Sequence, residues 1–294
     1  LSKNRENDDL VLEGGVDLHC HSTASDGEFS PSRLISLADE VGLEALALTD
    51  HDTVAGLDEF MRAAESSPVE AVPGLEISAE NSVGRFHILG YYLDWQKPRL
   101  IKKLQYYEEA RAERVRKMID VLEDKLGAGL TFEDVADLAG KKLIGKPHVA
   151  QAMFEKGIVS SIRQAFDEYL AHGRILDRVP KKRIGVSEAI TLLEEAGAAI
   201  ALAHPLYYAE DFNLQRFSVL GVEALEVYYS DHSPEQEDKY KRMARAEDLL
   251  ITGGTDFHGS VKPEVKLGDL RLKYEHLEKL KKVSRRKGGR FDIV

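Results

Sequence analysis

The sequence predicts an α/β fold, and three patterns carry that prediction. Short apolar, β-prone runs alternate with amphipathic helical segments, the pattern of strands paired in parallel through crossover helices. Six of the apolar runs hold a His, Asp or Glu within them or at their C-terminal ends. Barrel enzymes gather their catalytic groups at such strand ends. Finally, the alternation stops between residues 95 and 183, where no strand-like run occurs.

The first run is Val16-Asp17-Leu18-His19-Cys20-His21-Ser22, followed by Asp26 and Gly27. Side chains alternate faces on a strand, so His19 and His21 share one side, about 7 Å apart, and can close on one metal ion. Leu18 and Cys20 share the other side, which makes Cys20 a buried structural thiol. Residues 31–41 then repeat Leu34, Ile35, Leu37, Ala38 and Val41 at helical spacing, with Ser30 as cap and Pro31 in the first turn. A second run, 45–51, ends in Thr49-Asp50-His51-Asp52. The helix expected at 53–64 places Leu57, Phe60, Met61 and Ala64 on one face, with Asp52 as its cap. Asp50 is open between orienting an imidazole and a structural role.

Two further runs carry Glu76 (71–77) and His87 (85–91). Residues 96–183 read as a helical insert: a long charged amphipathic helix at 101–126, then shorter helices at 131–138, 147–156 and 161–171. Beyond it, a helix at 187–196 precedes the run 198–205, which carries His204, and a helix at 234–246 precedes the run 249–255, which is followed by Asp256 and His258. About seven strand candidates result. The domain organisation expected is a barrel from 12–95 and 184–294, with 96–183 inserted as a substrate-selecting element.

Composition bounds the function classes. The chain has 294 residues and a formal charge of -11, which argues against broad nonspecific nucleic-acid binding. No stretch approaches the roughly 20 apolar residues of a membrane span, and no signal-peptide pattern opens the sequence. The single cysteine fits a reducing cytoplasm, the expected location. Nothing calls for an obligate protein partner. Residues 271–290 are rich in Lys and Arg; such a run is a solvated helix face or frayed end more often than an RNA contact. His172, His232 and His276 lack a strand-end setting and are expected at the surface.

The motif series His19-Cys20-His21, Asp26-Gly27, Thr49-Asp50-His51-Asp52, Pro73-Gly74-Leu75-Glu76, Phe86-His87-Ile88-Leu89-Gly90, Ala203-His204-Pro205 and Asp256-Phe257-His258-Gly259 resembles the PHP (polymerase and histidinol phosphatase) superfamily. The order matches across nearly the whole chain. Length and the middle segment resemble the bacterial 3′,5′-nucleoside bisphosphate phosphatases, some of which are also 5′-to-3′ exoribonucleases. The resemblance implies a distorted, TIM-like barrel of seven strands. It also implies two or three divalent ions, manganese first, iron or zinc as alternatives. His19, His21, Glu76 and Asp256 would take one ion, Glu76, His87 and His204 a second, and Asp26, His51 and His258 a third. Some members have His in place of Asp26; the carboxylate makes that position harder, favouring manganese or iron over zinc.

Held a few Å apart, such ions would supply a water acidified toward neutrality for attack on phosphorus, with Glu76, His204 and Asp256 expected to act through it. Amidohydrolases also begin with two His on a first strand but use a bridging carboxylated Lys. No Lys sits in the apolar runs here, and Glu76 fills that place. A noncatalytic metal-binding regulator is the alternative from another class; the complete ligand set speaks against it.

In the insert, Gly145-Lys146-Pro147-His148 opens a helix whose start favours anions. Arg174, in His172-Gly173-Arg174, lies in a second segment resembling the family's phosphate clamp. Lys146 stands where the family pattern often has Arg, which puts a bidentate contact there in doubt. The expected substrate is a small nucleotide with two phosphates, one cleaved at the metals and one held by Lys146, His148 and Arg174. An RNA end is the alternative substrate.

Overall fold

The computed structural model describes residues 9–140, 143–209 and 212–291 of the 294-residue chain. Its strands are β1 (Val16–Cys20), β2 (Ala45–Leu48), β3 (Glu70–Glu80), β4 (Arg85–Tyr91), β5 (Ile184–Gly185), β6 (Ala199–Leu202), β7 (Ala224–Tyr229) and β8 (Leu250–Gly254). They form one sheet in the order β1-β2-β3-β4-β6-β7-β8, with the two-residue β5 added beside β3. Just past β8 the chain returns to β1. The Asp256 amide donates to His19 O at 2.8 Å, and the His21 amide to Phe257 O at 3.0 Å. Gly254 permits this approach, because a Cβ there would fall onto the His19 backbone nitrogen. The sheet is the distorted seven-stranded α/β barrel that the sequence predicts, with β5 as an eighth, marginal strand.

The distortion has a local cause. The pattern predicts parallel pairing throughout, but β4 runs antiparallel to both β3 and β6. Four residues, Asn81 to Gly84, join β3 to β4, too few for a crossover. Asn81 closes the turn: its Oδ1 accepts from the Val83 and Gly84 amides at 2.8 and 3.1 Å.

Helices cover the sheet from outside. The first two are α1 (Pro31–Glu40) and α2 (Leu57–Ala64). In α1, Ser30 accepts from the Arg33 amide, and Leu34, Ile35 and Ala38 are buried. Each large apolar side chain buried this way contributes about 1.5–3 kcal/mol. The second helix starts four residues later than expected. Asp52 does not cap it; with φ at +52° it turns toward β3 and accepts from the Ser78 amide at 2.8 Å.

The chain divides into two compact units, Leu1–Ile101 with Ile184–Val294, and Lys102–Arg183. The division falls within α3 (Pro98–Leu126). The second unit continues with α4 (Phe132–Ala139), α5 (Lys146–Glu155) and α6 (Ile162–Ala165). Past α6, residues Phe166–Leu170 widen into a π-helical turn where a regular helix was expected. No described residue of this unit is in a strand. Thr131 and Asp134 cap α4 reciprocally, and its core is apolar, built from Met118, Leu122, Val135, Val149, Met153, Leu170 and their neighbours.

The first unit resumes with α7 (Val186–Glu195), α8 (Leu214–Leu220), α9 (Pro234–Ala246) and α10 (Tyr274–Lys287). The basic segment 271–290 is mostly α10, and it is packed, not frayed. Leu277 and Leu280 are fully buried. Lys281 pairs with Glu70 at 2.6 Å and Lys287 with Glu223 at 2.8 Å. Two surface expectations also fail. His232 and His276 are buried, because each finds a polar partner in the fold: Val227 O at 2.8 Å and Asp9 Oδ1 at 3.2 Å. His172 is exposed, as expected. No helix among the described residues is long and apolar enough to cross a membrane.

Candidate metal centre

All nine predicted ligands lie in the barrel unit, on or just past strands, and the structure brings them into one cluster. The parity of β1 places His19 toward the interior and Cys20 behind it, where the Cys20 thiol donates to Ala47 O at 3.2 Å. His21 follows the strand. The chain then loops tightly, since a Cβ on Gly27 would collide with His21 O. Asp50 resolves as the support of this loop: its carboxylate accepts from Ser22 N at 2.7 Å, Ser22 Oγ at 2.6 Å and Ser25 Oγ at 2.5 Å. The loop carries Asp26 to 3.3 Å from His258 Nε2, 3.8 Å from His21 Nδ1 and 3.9 Å from His51 Nε2.

Glu76, fully buried on β3, stands at the centre. Its Oε1 lies 2.8 Å from His87 Nδ1 and 3.0 Å from His204 Nε2. Its Oε2 lies 2.8 Å from His51 Nδ1, 3.3 Å from His21 Nε2 and 3.5 Å from His19 Nε2. One carboxylate thus faces two sets of imidazoles. Asp256 Oδ1 approaches His21 Nε2 at 3.0 Å and His19 Nε2 at 3.5 Å. Two of these residues sit in strained backbone, His204 at φ +21° and Asp256 at φ +53°.

Charge balance is tight. Burial opposes the charged form of Glu76, but His51, His87 and His19 outweigh it and hold the carboxyl well below its usual range. Burial likewise opposes a His19 cation, yet Glu226, Glu76 and Asp256 push its pKa well up. For His51, Glu76 overcomes burial and raises the pKa to about 10. His21 is pushed down, by burial first and then by the neighbouring His51.

The donor set fits divalent transition metals. Imidazole nitrogens and carboxylate oxygens suit manganese, iron and zinc. Buried atoms that make no hydrogen bond include His19 Nε2, both nitrogens of His21, His51 Nδ1, Glu76 Oε2 and His204 Nδ1. Such atoms are costly unless something binds them. Three overlapping groups have ligand atoms within 4.8 Å of one another: His19, His21 and Glu76; His51, Glu76 and His87; and His21, Asp26, His51 and His258.

Several supporting residues were not anticipated. Glu226, on β7, is fully buried. It accepts from the His204 amide at 2.7 Å and lies 2.9 Å from His19 Nδ1, leaving Nε2 of that ring for a ligand role. The signal was present: a carboxylate inside an apolar run. Asp256 Oδ2 is gripped by Lys262 Nζ at 2.6 Å and Tyr229 OH at 2.9 Å. Asp17, pushed up by burial to about 6, accepts from Thr255 Oγ1 at 2.6 Å and Thr255 N at 2.9 Å, pinning the β8 end to β1.

The predicted phosphate contacts lie in the other unit. Lys146, at the start of α5, donates to Asp177 Oδ1 at 2.7 Å and Leu170 O at 2.6 Å. His148 Nδ1 accepts from the Gly145 amide at 3.2 Å, closing the helix start. Arg174 is exposed.

Comparison with known proteins agrees with this architecture. The PHP domain model matches residues 17–174. A 5′-3′ exoribonuclease of Haemophilus influenzae is 34% identical over 247 residues, covering 82% of this chain and 89% of the relative. A 3′,5′-nucleoside bisphosphate phosphatase of Chromobacterium violaceum is 30% identical over 248 residues, 83% of this chain and 87% of the relative. A crystal structure from Bifidobacterium adolescentis, provisionally assigned as a metal-dependent phosphoesterase, superposes with a TM-score of 0.80 at 28% identity, covering 93% of this chain and 97% of the other. The chain belongs to the PHP domain family, among its metal-dependent phosphoesterases.

Proposed function

We propose that this phosphoesterase hydrolyses a small nucleotide that carries two phosphates, a 3′,5′-nucleoside bisphosphate being the first choice. The observation that carries the hydrolytic reading is Glu76, whose two oxygens face separate imidazole sets, and the bisphosphate phosphatase relative at 30% identity supports the choice of substrate. His19, His21, Glu76 and Asp256 would hold one ion, Glu76, His87 and His204 a second, and Asp26, His51 and His258 a third, with manganese preferred over iron and zinc. When bound, the ions supply an acidified water and neutralise charge that builds on the phosphate. The protein's own groups prepare that chemistry. Glu226 orients His19, and Lys262 with Tyr229 leaves one oxygen of Asp256 facing the imidazoles. The buried Cys20, hydrogen-bonded to Ala47 O, offers no nucleophile.

Arg174 and His148 are the proposed contacts for the second phosphate. Lys146 joins them as a cation already balanced by Asp177. A second reading, attack on a 5′-phosphorylated RNA end, is favoured by the exoribonuclease relative at 34% identity. A phosphate-release screen over monophosphates, bisphosphates and short RNA with added manganese separates the two. Arg174→Ala should lower kcat/KM on the bisphosphate by about one to two decades and spare a simple monoester. Equal losses on both substrates would contradict the second-phosphate role.

A further inference from the structure

We infer that the helical insert carries a binding surface for the body of single-stranded RNA, centred on Tyr106. This deepens the second reading above and rests on it for the identity of the ligand. The observations lie wholly within the unit Lys102–Arg183. Although the chain has a net charge of -11, residues 174–183 hold five basic side chains against Asp177 alone. This segment runs beside α3: Arg114 Nε donates to Val179 O at 3.0 Å and Lys182 Nζ to Tyr106 OH at 3.2 Å. On α3 itself, Lys103, Tyr107 and Arg114 recur at the spacing of one helical face, with Tyr106 at its edge.

One aromatic ring, Tyr106, thus stands between two cations, with a second ring beside it. Tyr106 is 45% exposed. The ammonium groups of Lys182 and Lys103 lie 5.2 and 5.7 Å from its ring centroid. Tyr107 meets Tyr106 edge-on, with centroids 5.2 Å apart. A large aromatic side chain left open to water contributes little to folding. Its ring is a face on which a base can stack, and the long lysine stems let the ammonium groups swing to the flanking phosphates. Aromatic platforms edged by Lys and Arg are the general means of holding single-stranded nucleic acid without reading its sequence. A single nucleotide bisphosphate has no flanking residues to use such a surface; an oligonucleotide does.

The test is binding of a 5′-phosphorylated, 2′-O-methyl oligouridylate of about twelve nucleotides, which resists cleavage, to the full-length protein as purified. Fluorescence anisotropy should show binding that weakens with salt. Tyr106→Ala should weaken it roughly tenfold or more. Lys182→Ala should lower the salt slope by about 0.7, the loss of one phosphate contact. Both exposed-site variants should keep full turnover on a 3′,5′-bisphosphate. Unchanged affinity in both variants, or no salt-dependent binding by the wild type, would overturn the inference. So would a parallel loss of bisphosphate turnover, which would make Tyr106 a support of the fold. If no phosphoester is hydrolysed but the variants lose RNA, the functional reading fails and the binding surface stands. If the bisphosphate is hydrolysed and no RNA binds, only the surface fails.

Discussion

Both units have apolar cores, but they differ in what else they bury. At the barrel centre the buried groups are polar: Asp17, His19, His21, Glu76 and Glu226 are fully buried. In the insert the core is apolar, and charged pairs such as Lys156–Asp134 at 2.7 Å sit at the surface. Removing a charge from water costs several kcal/mol per ion unless partners offset it. The barrel offsets part of this with imidazole–carboxylate pairs yet still leaves buried atoms without hydrogen bonds. The insert has little to offset, and its surface pairs are individually worth at most about 1 kcal/mol. The contrast teaches that the polar centre is kept for binding, at a cost to stability, while the insert is an ordinary apolar scaffold presenting side chains.

Substitutions should therefore separate the two. The largest effect is expected from Glu76→Gln, which removes the charge that faces both imidazole sets. Turnover should vanish in a phosphate-release assay while circular dichroism stays that of the wild type. Next comes Leu122→Ala in the insert. Leu122 is buried, and truncation should cost about 2–5 kcal/mol of that unit's stability in denaturant unfolding. Metal content should stay unchanged, and a fall in it would break the comparison. Glu226→Gln should be milder than loss of a ligand, lowering metal affinity by about 10- to 100-fold in a chelator competition.

The smallest effect concerns Asp134. Its hydrogen bonds to Lys156 and to the Thr131 amide and hydroxyl hold its pKa down to about 2. A lowered carboxylate pKa adds stability above the ordinary value and loses it as pH falls through the folded value. The difference in melting temperature between wild type and Asp134→Asn should thus be present at about pH 5 and shrink toward about pH 2. A difference that grows on acidification would contradict the pairing.

The site was more legible in the sequence than its supports. A His or carboxylate in or at the end of an apolar run is a local signal, and every predicted ligand but Asp26, which the motif series supplied, carried it. Alternation on β1 was enough to separate His19 from Cys20. The hairpin at Asn81 to Gly84 was missed although its turn residues were in view, because helix–strand alternation dominated the pattern. Glu226 carried the ligands' own signal, but its run has no place in the motif series that named the ligands. Asp17 meets Thr255 and Lys262 meets Tyr229, contacts distant in sequence that no local pattern encodes. His232 and His276 look like surface residues in their local sequence; tertiary partners decide their burial.

The central claim is that the buried polar centre is a cradle for more than one ion bridged by Glu76. Elemental analysis of protein purified without chelator tests it most directly, run on the wild type and on Glu76→Gln side by side. The account predicts more than one transition-metal ion per chain in the wild type and a clear fall in the variant. One ion or none in the wild type, or an unchanged count in Glu76→Gln, would contradict it.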